Sequence, residues 1–450
     1  MVNLARGTRD FLPEQAAARH AVIDRLREVF ARHGFDPLDT PAFERIETLT
    51  GKYGEEGQRL IFQILKRGEG GERGEVDLAL RYDLTVPLAR VVAMNPGLRL
   101  PFKRWQIAPV WRADRPAKGR FREFYQCDCD VVGSTEPLAD ASCLAVAGDA
   151  FATLGFRDYA IRINDRRLLS ATARACGVGP EQELGMFVAV DKLDKIGREG
   201  VAAELADRGI LQGEALERLW AILGLRGERA QVIAGLREAL GGVEGAGAAL
   251  DELVRVVSLA EALGVPEGVI RIDPSLARGL DYYTGPIWEI EVETPKVGSL
   301  GAGGRYDRLI GVFGKQQVPA VGISFGLERI LTVMEEHGML PPRQDAAQVL
   351  VAVFDPENPE PAARAAALLR GAGIRADLYA GASKLRAQLK HADAAGISFV
   401  VITGPGETAR GAVTLKNLGS GEQVEVPLAD LVARLVADGI TPLDHPQRSS

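Results

Sequence analysis

Charged and polar side chains alternate with apolar ones along two strand-like runs, 102–112 and 120–131. Because successive side chains of a strand point to opposite faces, one face of the first run carries Arg104, Gln106 and Arg112. Arginine forks can hold two phosphate oxygens at once, and carboxylate or amide oxygens accept hydrogen bonds from amines and ring N–H groups. The pattern predicts a ligand with a phosphate at one end and N–H donors at the other. The matching face of the second run carries Arg120, Arg122, Gln126, Asp128 and Asp130.

The break between the runs, ADRPAKG, predicts a β-hairpin with a longer loop. If this loop is symmetric about Pro116, Arg104 lies opposite Asp128, and Arg112 lies opposite Arg120. Like charges directly across a strand pair are destabilising, so we expect an anion between the two arginines. From the hairpin alone, a solvated sheet face is an equally open interpretation.

The segment LRYDLTVP adds a second pair of polar side chains, Asp83 and Thr85. The pattern predicts a strand ending near Thr85 and a helix beginning at Pro87, so both side chains would share one face. A carboxylate and a hydroxyl placed in this way could receive an ammonium group. An N-cap role for Thr85 is compatible with that function.

Three later stretches add further candidates. In RGLDYYTG, strand alternation would send Tyr282 and Tyr283 to opposite faces, so that one is in the core and the other lines a site with Arg278. GSLGAGGRYDRLIGVFG predicts a glycine-rich loop able to approach a phosphate or a ribose, although it matches no nucleotide-binding fingerprint. In AVGISFGLERI, Arg329 falls near a helix N-terminus, where the helix dipole opposes a cation unless an anion is present.

The elements that must position these residues belong to an ordinary globular chain. It has 450 residues, 46% of them apolar and 26% charged, and a net charge of −7 that excludes nucleic-acid binding by bulk basicity. No stretch has the length of a membrane span or the apolar core of a signal peptide, so we expect a cytoplasmic protein. The cysteines form no CxxC pair, so we expect reduced thiols. These cysteines are Cys127, Cys129, Cys143 and Cys176.

Composition and periodicity divide the chain into three parts. One α+β domain is formed by residues 1–163 and 263–340, and an alanine-, leucine- and glutamate-rich helical domain, 164–262, is inserted in it. Residues 346–436 alternate short strands and helices, which predicts a compact α/β unit with a parallel or mixed sheet. The basic side chains Lys384, Arg386 and Lys390 of this unit favour a solvated helix face unless another part of the chain indicates RNA.

Taken together, these stretches resemble the histidyl-tRNA synthetase family over essentially the whole chain. RADRPAKGRFREFYQ is similar to the second signature motif of class II aminoacyl-tRNA synthetases, AVGISFGLERI to the third, and RGLDYYTG to the family's histidine-binding signature. LRYDLTVP, AVDKLDKIG and GRFREFYQCDCDVVG look closer to its eukaryotic-like branch. The resemblance implies a catalytic domain with an antiparallel six-stranded sheet flanked by helices, an inserted helical domain and a C-terminal anticodon-binding domain.

The resemblance also implies a role for each matching residue. Arg112 would bind the α-phosphate of ATP, Arg278 would act where charge develops on that phosphate, and Arg329 would bind the γ-phosphate. Asp114 and Arg120 would support the nucleotide. The histidine-binding residues would be Asp83, Thr85 and Gln126 for the amino group, Asp130, Tyr283 and Tyr306 for the imidazole, and Tyr282 to complete the pocket.

The implied reaction forms histidyl-adenylate and pyrophosphate from L-histidine and ATP, and then transfers histidine to the 3′ end of tRNA(His). Mg²⁺ would lie on the β- and γ-phosphates of ATP, with no metal site of the protein's own, and the protein would be a homodimer. In one alternative, the protein has this fold but no catalytic activity, as in the regulatory paralogue that binds ATP phosphoribosyltransferase and typically lacks the anticodon-binding domain. A non-catalytic RNA-binding or interaction protein is the other alternative.

Overall fold

The computed structural model describes residues 2–51, 54–278, 282–314, 316–341, 347–381 and 383–443. It divides into two compact units, unit 1 (residues 1–341) and unit 2 (residues 342–450). Among the described residues, no helix combines the length and apolar character needed to cross a membrane. The proline-containing linker expected at PPRQDAAQ falls largely on residues 342–346, outside the described residues.

The described residues of unit 1 form two sheets. Their strands are β1 (Asp36–Pro37), β2 (Phe43–Arg45), β3 (Gln63–Leu65), β4 (Val76–Leu80), β5 (Phe102–Trp111), β6 (Glu123–Val132), β7 (Ala160–Asp165), β8 (Ile270–Ile272), β9 (Pro286–Glu291), β10 (Gly301–Arg305) and β11 (Ala320–Gly326).

The helices of unit 1 lie around the larger sheet and in the segment 166–262. They are α1 (Pro13–Arg32), α2 (Ile46–Leu49), α3 (Gly54–Arg59), α4 (Glu69–Glu72), α5 (Thr85–Met94), α6 (Pro137–Leu154), α7 (Arg166–Ala175), α8 (Glu183–Val190), α9 (Leu193–Asp207), α10 (Glu214–Leu223), α11 (Arg229–Leu240), α12 (Ala246–Ala262) and α13 (Leu327–Glu336), with a 3₁₀ turn at Ile310–Val312.

The larger sheet has eight strands in the order β1-β5-β6-β11-β10-β9-β7-β8. The prediction of a six-stranded antiparallel sheet was therefore wrong, because the edge strands β1 and β8 pair in parallel with β5 and β7 and make the sheet mixed. Strands of two and three residues are too short to give an alternation signal in the sequence. The smaller sheet is antiparallel, in the order β2-β4-β3.

Apolar periodicity accounts for the helices that cover the sheet. In α1 the side chains of Val22, Leu26, Val29 and Phe30 are fully buried, and the chain then turns at Gly34, which has a positive φ of 71°. Helix α6 packs against α1, α12 and β11. The helices expected between 164 and 262 are present as α7 to α12, whereas the domain boundaries drawn from the sequence stay predictions.

The hairpin of β5 and β6 has a different register from the expected one. Arg104 pairs with Asp130 and not with Asp128, and the Arg112 amide donates to the carbonyl of Arg122 and not of Arg120. These pairings of the strands centre the hairpin on Ala117, one residue beyond the expected centre at Pro116. A one-residue shift of the centre moves each partner by two residues, so the same faces meet.

Three further local predictions were wrong. Strand β4 ends at Leu80 and α5 begins at Thr85, so Asp83 lies in the turn between them and not on a strand. The Tyr282–Tyr283 pair precedes β9, so strand alternation does not apply to it. The glycine-rich run forms β10 inside the sheet and not a loop, because its glycines allow the neighbouring strands and side chains to approach closely.

Unit 2 contains a five-stranded sheet formed by β12 (Val349–Ala352), β13 (Ala376–Leu378), β14 (Phe399–Ile402), β15 (Ala412–Asn417) and β16 (Gln423–Pro427). The strand order is β13-β12-β14-β15-β16, parallel from β13 to β14 and antiparallel beyond. Separate apolar clusters cover its two faces, which confirms the predicted α/β unit with a mixed sheet. Its helices are α14 (Glu360–Gly371), α15 (Leu385–Ala394), α16 (Pro405–Ala409) and α17 (Leu431–Ala437), with a 3₁₀ turn at Leu428–Asp430.

Candidate active site

One cleft in unit 1, with a volume of about 560 Å³, brings together every site residue expected from the sequence. The cleft lies over the face of the large sheet that carries the polar side chains of β6. Residues 279–281 in the middle of RGLDYYTG lie outside the described residues. The expected residues that line the cleft are Asp83, Thr85, Arg112, Asp114, Arg120, Gln126, Asp130, Arg278, Tyr282, Tyr283, Tyr306 and Arg329.

Strand β6 forms the floor of the cleft. Gln126, Asp128 and Asp130 line the cavity, while Cys127 and Cys129 point into the apolar core, as alternation predicted. Both aspartates are almost completely buried, so the interpretation as a solvated sheet face was wrong. A buried carboxylate requires a partner, and this polar face is therefore built for internal contacts and for a ligand.

A buried ion pair anchors the deepest part of the floor. Arg104 Nη2 lies 2.8 Å from Asp130 Oδ2 and also donates to the Leu84 carbonyl at 3.1 Å. The hydroxyl of Tyr306 donates to Asp130 Oδ1. Burial raises the pKa of Asp130, an effect that Arg104 and the Tyr306 hydrogen bond oppose.

Glycines in the neighbouring strands make room for this carboxylate. Gly322 of β11 pairs with Asp130, and a Cβ at position 322 would lie 1.8 Å from Asp130 Oδ1. One strand further, a Cβ at Gly303 would lie 2.3 Å from the Gly322 carbonyl oxygen. The glycine-rich run therefore serves the site by close packing of strands.

Three tyrosines form one wall of the cleft. The rings of Tyr282 and Tyr283 are 4.8 Å apart, and the Tyr282 ring meets Tyr306 edge-on at 5.9 Å. Burial raises the pKa of all three hydroxyls, so they remain protonated donors near neutral pH. Both Tyr282 and Tyr283 line the cavity, so the expectation that only one of them does so was wrong.

The opposite end of the cleft is cationic. The pKa of Arg329 is lowered by burial and by the positive charges of Arg120, Arg278 and Arg112, which Glu289 partly offsets. Arg329 is the third residue of α13, and its Nη1 donates to the Ser299 carbonyl at 2.7 Å. Four guanidinium groups from three distant segments thus share one region, where an anion with several charges would relieve their repulsion.

Two of these arginines are oriented by groups nearby. The Arg112 guanidinium carbon lies 4.3 Å from the centre of the Tyr82 ring, and Arg112 Nε donates to the Tyr82 carbonyl at 3.1 Å. Arg120 Nη2 donates to Asp114 Oδ1 at 2.8 Å. Asp114 therefore contributes by holding Arg120.

Arg278 is held between two acids that the sequence analysis did not select. Its Nη1 lies 2.8 Å from Glu289 Oε1 of β9, and its Nε lies 3.5 Å from Asp191 Oδ1, at the end of α8. Asp191 and Lys195 both line the cleft and both belong to AVDKLDKIG, a motif noted only for its resemblance. The resemblance of this motif to the family was the sequence feature that could have identified Asp191 and Lys195 as site residues.

At the other end of the cleft, Asp83 caps helix α5. Its Oδ1 accepts a hydrogen bond from the Val86 amide at 3.0 Å, so the capping side chain is Asp83 and not Thr85 as expected. Thr85 lines the cleft as the first residue of the helix. Asp128 of the floor is a further carboxylate that was noted on the strand face but not selected as a site residue.

The described residues contain no group of three or more histidine, cysteine, aspartate or glutamate side chains arranged to hold a metal ion. Mg²⁺ usually binds through one or two carboxylates together with substrate phosphates. Glu289 fits that pattern, because its buried carboxylate lines the cationic end of the cleft beside Arg278 and Ser299.

Comparisons with known proteins agree with this geometry. The family model described as histidyl-tRNA synthetase matches residues 7–330, and the one described as anticodon binding domain matches residues 348–438. A histidine–tRNA ligase of Gloeobacter violaceus is 46% identical over 451 residues, covering 94% of this chain and 96% of the relative. Another from Aeropyrum pernix is 44% identical, covering 95% and 96%.

A solved structure also matches this chain over nearly its whole length. The crystal structure of histidyl-tRNA synthetase from Nostoc sp. PCC 7120 superposes with a TM-score of 0.81 at 32% identity, covering 97% of this chain and 99% of that one. A Bacillus halodurans structure titled as an ATP phosphoribosyltransferase regulatory subunit/histidyl-tRNA synthetase has a TM-score of 0.71 at 23% identity, which shows a shared fold alone. With the family match over most of unit 1 and relatives covering nearly all of both chains, this chain belongs to the histidyl-tRNA synthetase family.

Proposed function

We propose that the cleft activates L-histidine with ATP to give histidyl-adenylate and pyrophosphate, and then transfers histidine to the 3′ end of tRNA(His). This is the reaction of a histidine–tRNA ligase. The observation that carries the proposal is the convergence of four arginines and a polar, acceptor-rich floor in one cleft. The cationic end matches a triphosphate, and the floor matches a small ligand rich in N–H groups.

The arginines would act by charge and position. Arg112 would bind the α-phosphate and Arg329 the γ-phosphate, while Arg278 would stabilise the charge that develops on the α-phosphate as the histidine carboxylate attacks it. The attack forms a carboxylate–phosphate bond and breaks the bond to pyrophosphate. Preorganised cations can stabilise such a transition state without covalent participation by the protein.

The floor and the tyrosine wall would recognise histidine. Asp83, Thr85 and Gln126 are proposed to hold the amino group, with Asp130, Tyr283 and Tyr306 reading the imidazole and Tyr282 packing beside it. A site whose buried polar groups pair with both ring nitrogens leaves those groups unpaired when another amino acid enters. The Tyr306–Asp130 hydrogen bond and the Arg104–Asp130 ion pair support this assignment, because they fix the carboxylate in place.

Other parts of the proposal follow from the family. Mg²⁺ would be held by the ATP phosphates with Glu289, and it would neutralise charge on the β- and γ-phosphates. The anticodon-binding match at 348–438 supports recognition of tRNA by unit 2, where Lys384, Arg386 and Lys390 would contact the nucleic acid. A homodimer, a cytoplasmic location and membership of the eukaryotic-like branch are proposed on the same basis.

Charging of total tRNA with each amino acid in turn tests the function. Only histidine should be attached, and only in the presence of ATP and Mg²⁺. A regulatory paralogue or an RNA-binding protein without catalysis would charge no amino acid and would not support histidine-dependent exchange of pyrophosphate into ATP. Attachment of another amino acid at a comparable rate would contradict the proposed specificity.

A further inference from the structure

Asp128 is a buried carboxylate in the cleft to which none of the roles above applies. It is 2% exposed and lines the cavity, and its Oδ1 has no hydrogen-bond partner within the part of the chain that the structure describes. An unpaired buried carboxylate oxygen costs free energy unless a donor reaches it. A donor on a bound ligand would supply that partner.

Asp128 lies between the two groups of histidine contacts proposed above. Gln126, Asp128 and Asp130 follow one another on the same face of β6. Ser324 of β11 is paired with Asp128, and its hydroxyl accepts from Gln126 Nε2 at 2.7 Å and donates to Asp128. Gln126 and Asp128 are thus linked through one hydroxyl, and Gln126 Oε1 also lacks a partner among the described residues.

The neighbouring carboxylate is already compensated. Asp130 accepts the Tyr306 hydroxyl and is paired with Arg104 at 2.8 Å. Across the hairpin, Asp128 faces Gln106, a neutral amide that is hydrogen-bonded to Thr40. Asp128 is therefore the carboxylate of the floor whose negative charge a bound ligand could compensate.

We propose that Asp128 binds the α-ammonium group of histidine beside Gln126, and so selects substrates that carry a free amine. The inference rests on the proposed function. An ammonium group has three donors and a full charge at pH 7, whereas an imidazole with an ordinary pKa near 6.5 is mostly neutral there. A charge-assisted hydrogen bond to the ammonium is thus the stronger match for the open carboxylate.

The charge on Asp128 depends on its surroundings. Burial raises the pKa of Asp128 to about 7, with Asp130 and Asp83 adding to the rise and Arg104 opposing it. A cation bound at Oδ1 favours the ionised form, so histidine binding near pH 7 should release a proton from Asp128. The titratable and charged groups that face it are Arg81, Asp83, Arg104, Asp130 and Tyr283.

Calorimetric titration with three ligands tests the assignment. Histidine and histamine both carry the ammonium group, whereas imidazole-4-propionate carries the ring and the carboxylate without it. We expect Asp128→Asn to weaken histidine and histamine binding about tenfold or more, since a hydrogen bond to a charged group is lost, and to change imidazole-4-propionate binding less than about twofold. Asp165→Asn is the matched control, because Asp165 is equally buried but lies outside the cleft at the start of α7.

A second measurement needs no variant. Titration of the wild-type protein at pH 7 in buffers of different ionisation enthalpy gives the number of protons released on binding. Histidine should release more protons than imidazole-4-propionate, because its ammonium group favours the ionised form of Asp128, whose raised pKa leaves it partly protonated at that pH.

The results of these titrations test whether Asp128 binds the ammonium group. Equal proton release by the two ligands, or equal affinity losses for all three ligands in Asp128→Asn, would overturn the role of Asp128. Unchanged histidine affinity in a folded Asp128→Asn protein would do the same while leaving the proposed function intact. If the wild-type protein does not bind histidine at all, the proposed function fails together with the inference.

Discussion

At the level of single residues, the proposed chemistry depends on guanidinium groups whose mutual repulsion a bound polyanion would relieve. Arg278 is the most informative of them, since it connects β9 through Glu289 and the end of α8 through Asp191. It stands at the cationic end of the cleft, where its charge lowers the pKa of Arg329. Its side chain is partly exposed, so it is accessible to a substrate.

We expect Arg278→Ala to reduce histidine-dependent ATP–pyrophosphate exchange about 100-fold or more, because one positioned donor at a developing charge is worth this much. Arg255→Ala, which removes an exposed arginine of α12, should leave the exchange rate unchanged. The measurement is exchange of labelled pyrophosphate into ATP at saturating histidine. A rate equal to that of the wild-type protein would exclude the proposed role.

At the level of secondary structure, the site depends on strands that approach one another more closely than side chains would permit. Gly322 of β11 pairs with Asp130 of β6 on one side and with Gly304 of β10 on the other. The run that contains Gly304 was predicted to be a glycine-rich loop, but it forms β10, where the absence of side chains provides space. These glycines accommodate, without a clash, the carboxylate that we propose binds the imidazole.

The change Gly322→Ala should therefore displace Asp130, because the new methyl group would lie 1.8 Å from its Oδ1. We expect kcat/KM for histidine to fall about 100-fold, the usual consequence of a displacement of about 1 Å in an active site. Steady-state exchange kinetics with varied histidine give this value, and circular dichroism checks the fold. Gly247→Ala in α12, where a Cβ meets nothing within 4 Å, is the control and should behave like the wild-type protein.

At the level of the whole molecule, we propose that unit 1 carries out the chemistry and unit 2 recognises tRNA. Every residue that lines the cleft comes from unit 1, between Asp83 and Arg329. Unit 2 has its own apolar clusters on both faces of its sheet. An independent core is what allows such a unit to fold by itself.

Removal of residues 342–450 should consequently preserve histidine-dependent ATP–pyrophosphate exchange within about twofold, while lowering kcat/KM for tRNA charging about tenfold or more through lost contacts. Both activities are measured on the same truncated protein, with full-length protein as the reference. Loss of exchange in a truncated protein that remains folded would indicate that unit 2 contributes to the cleft.

Local patterns in the sequence determined much of the candidate site. Alternation along β6 predicted that Gln126 and Asp130 share one face and the cysteines the other, because a strand has a strict two-residue period. Helical periodicity predicted α1, and the alternation of strands and helices predicted unit 2. The motif resemblance named twelve residues that line one cleft.

The tertiary structure decided what depends on contacts between distant segments. It added two short parallel edge strands to the sheet, turned the glycine-rich run into β10, and placed both Tyr282 and Tyr283 in the wall of the cleft. It also brought Asp191 and Glu289 close to Arg278, and it left Asp128 Oδ1 without a hydrogen-bond partner among the described residues. A sequence specifies the face of a strand through its own periodicity, but register, burial and charge pairing arise only when remote strands and helices pack together.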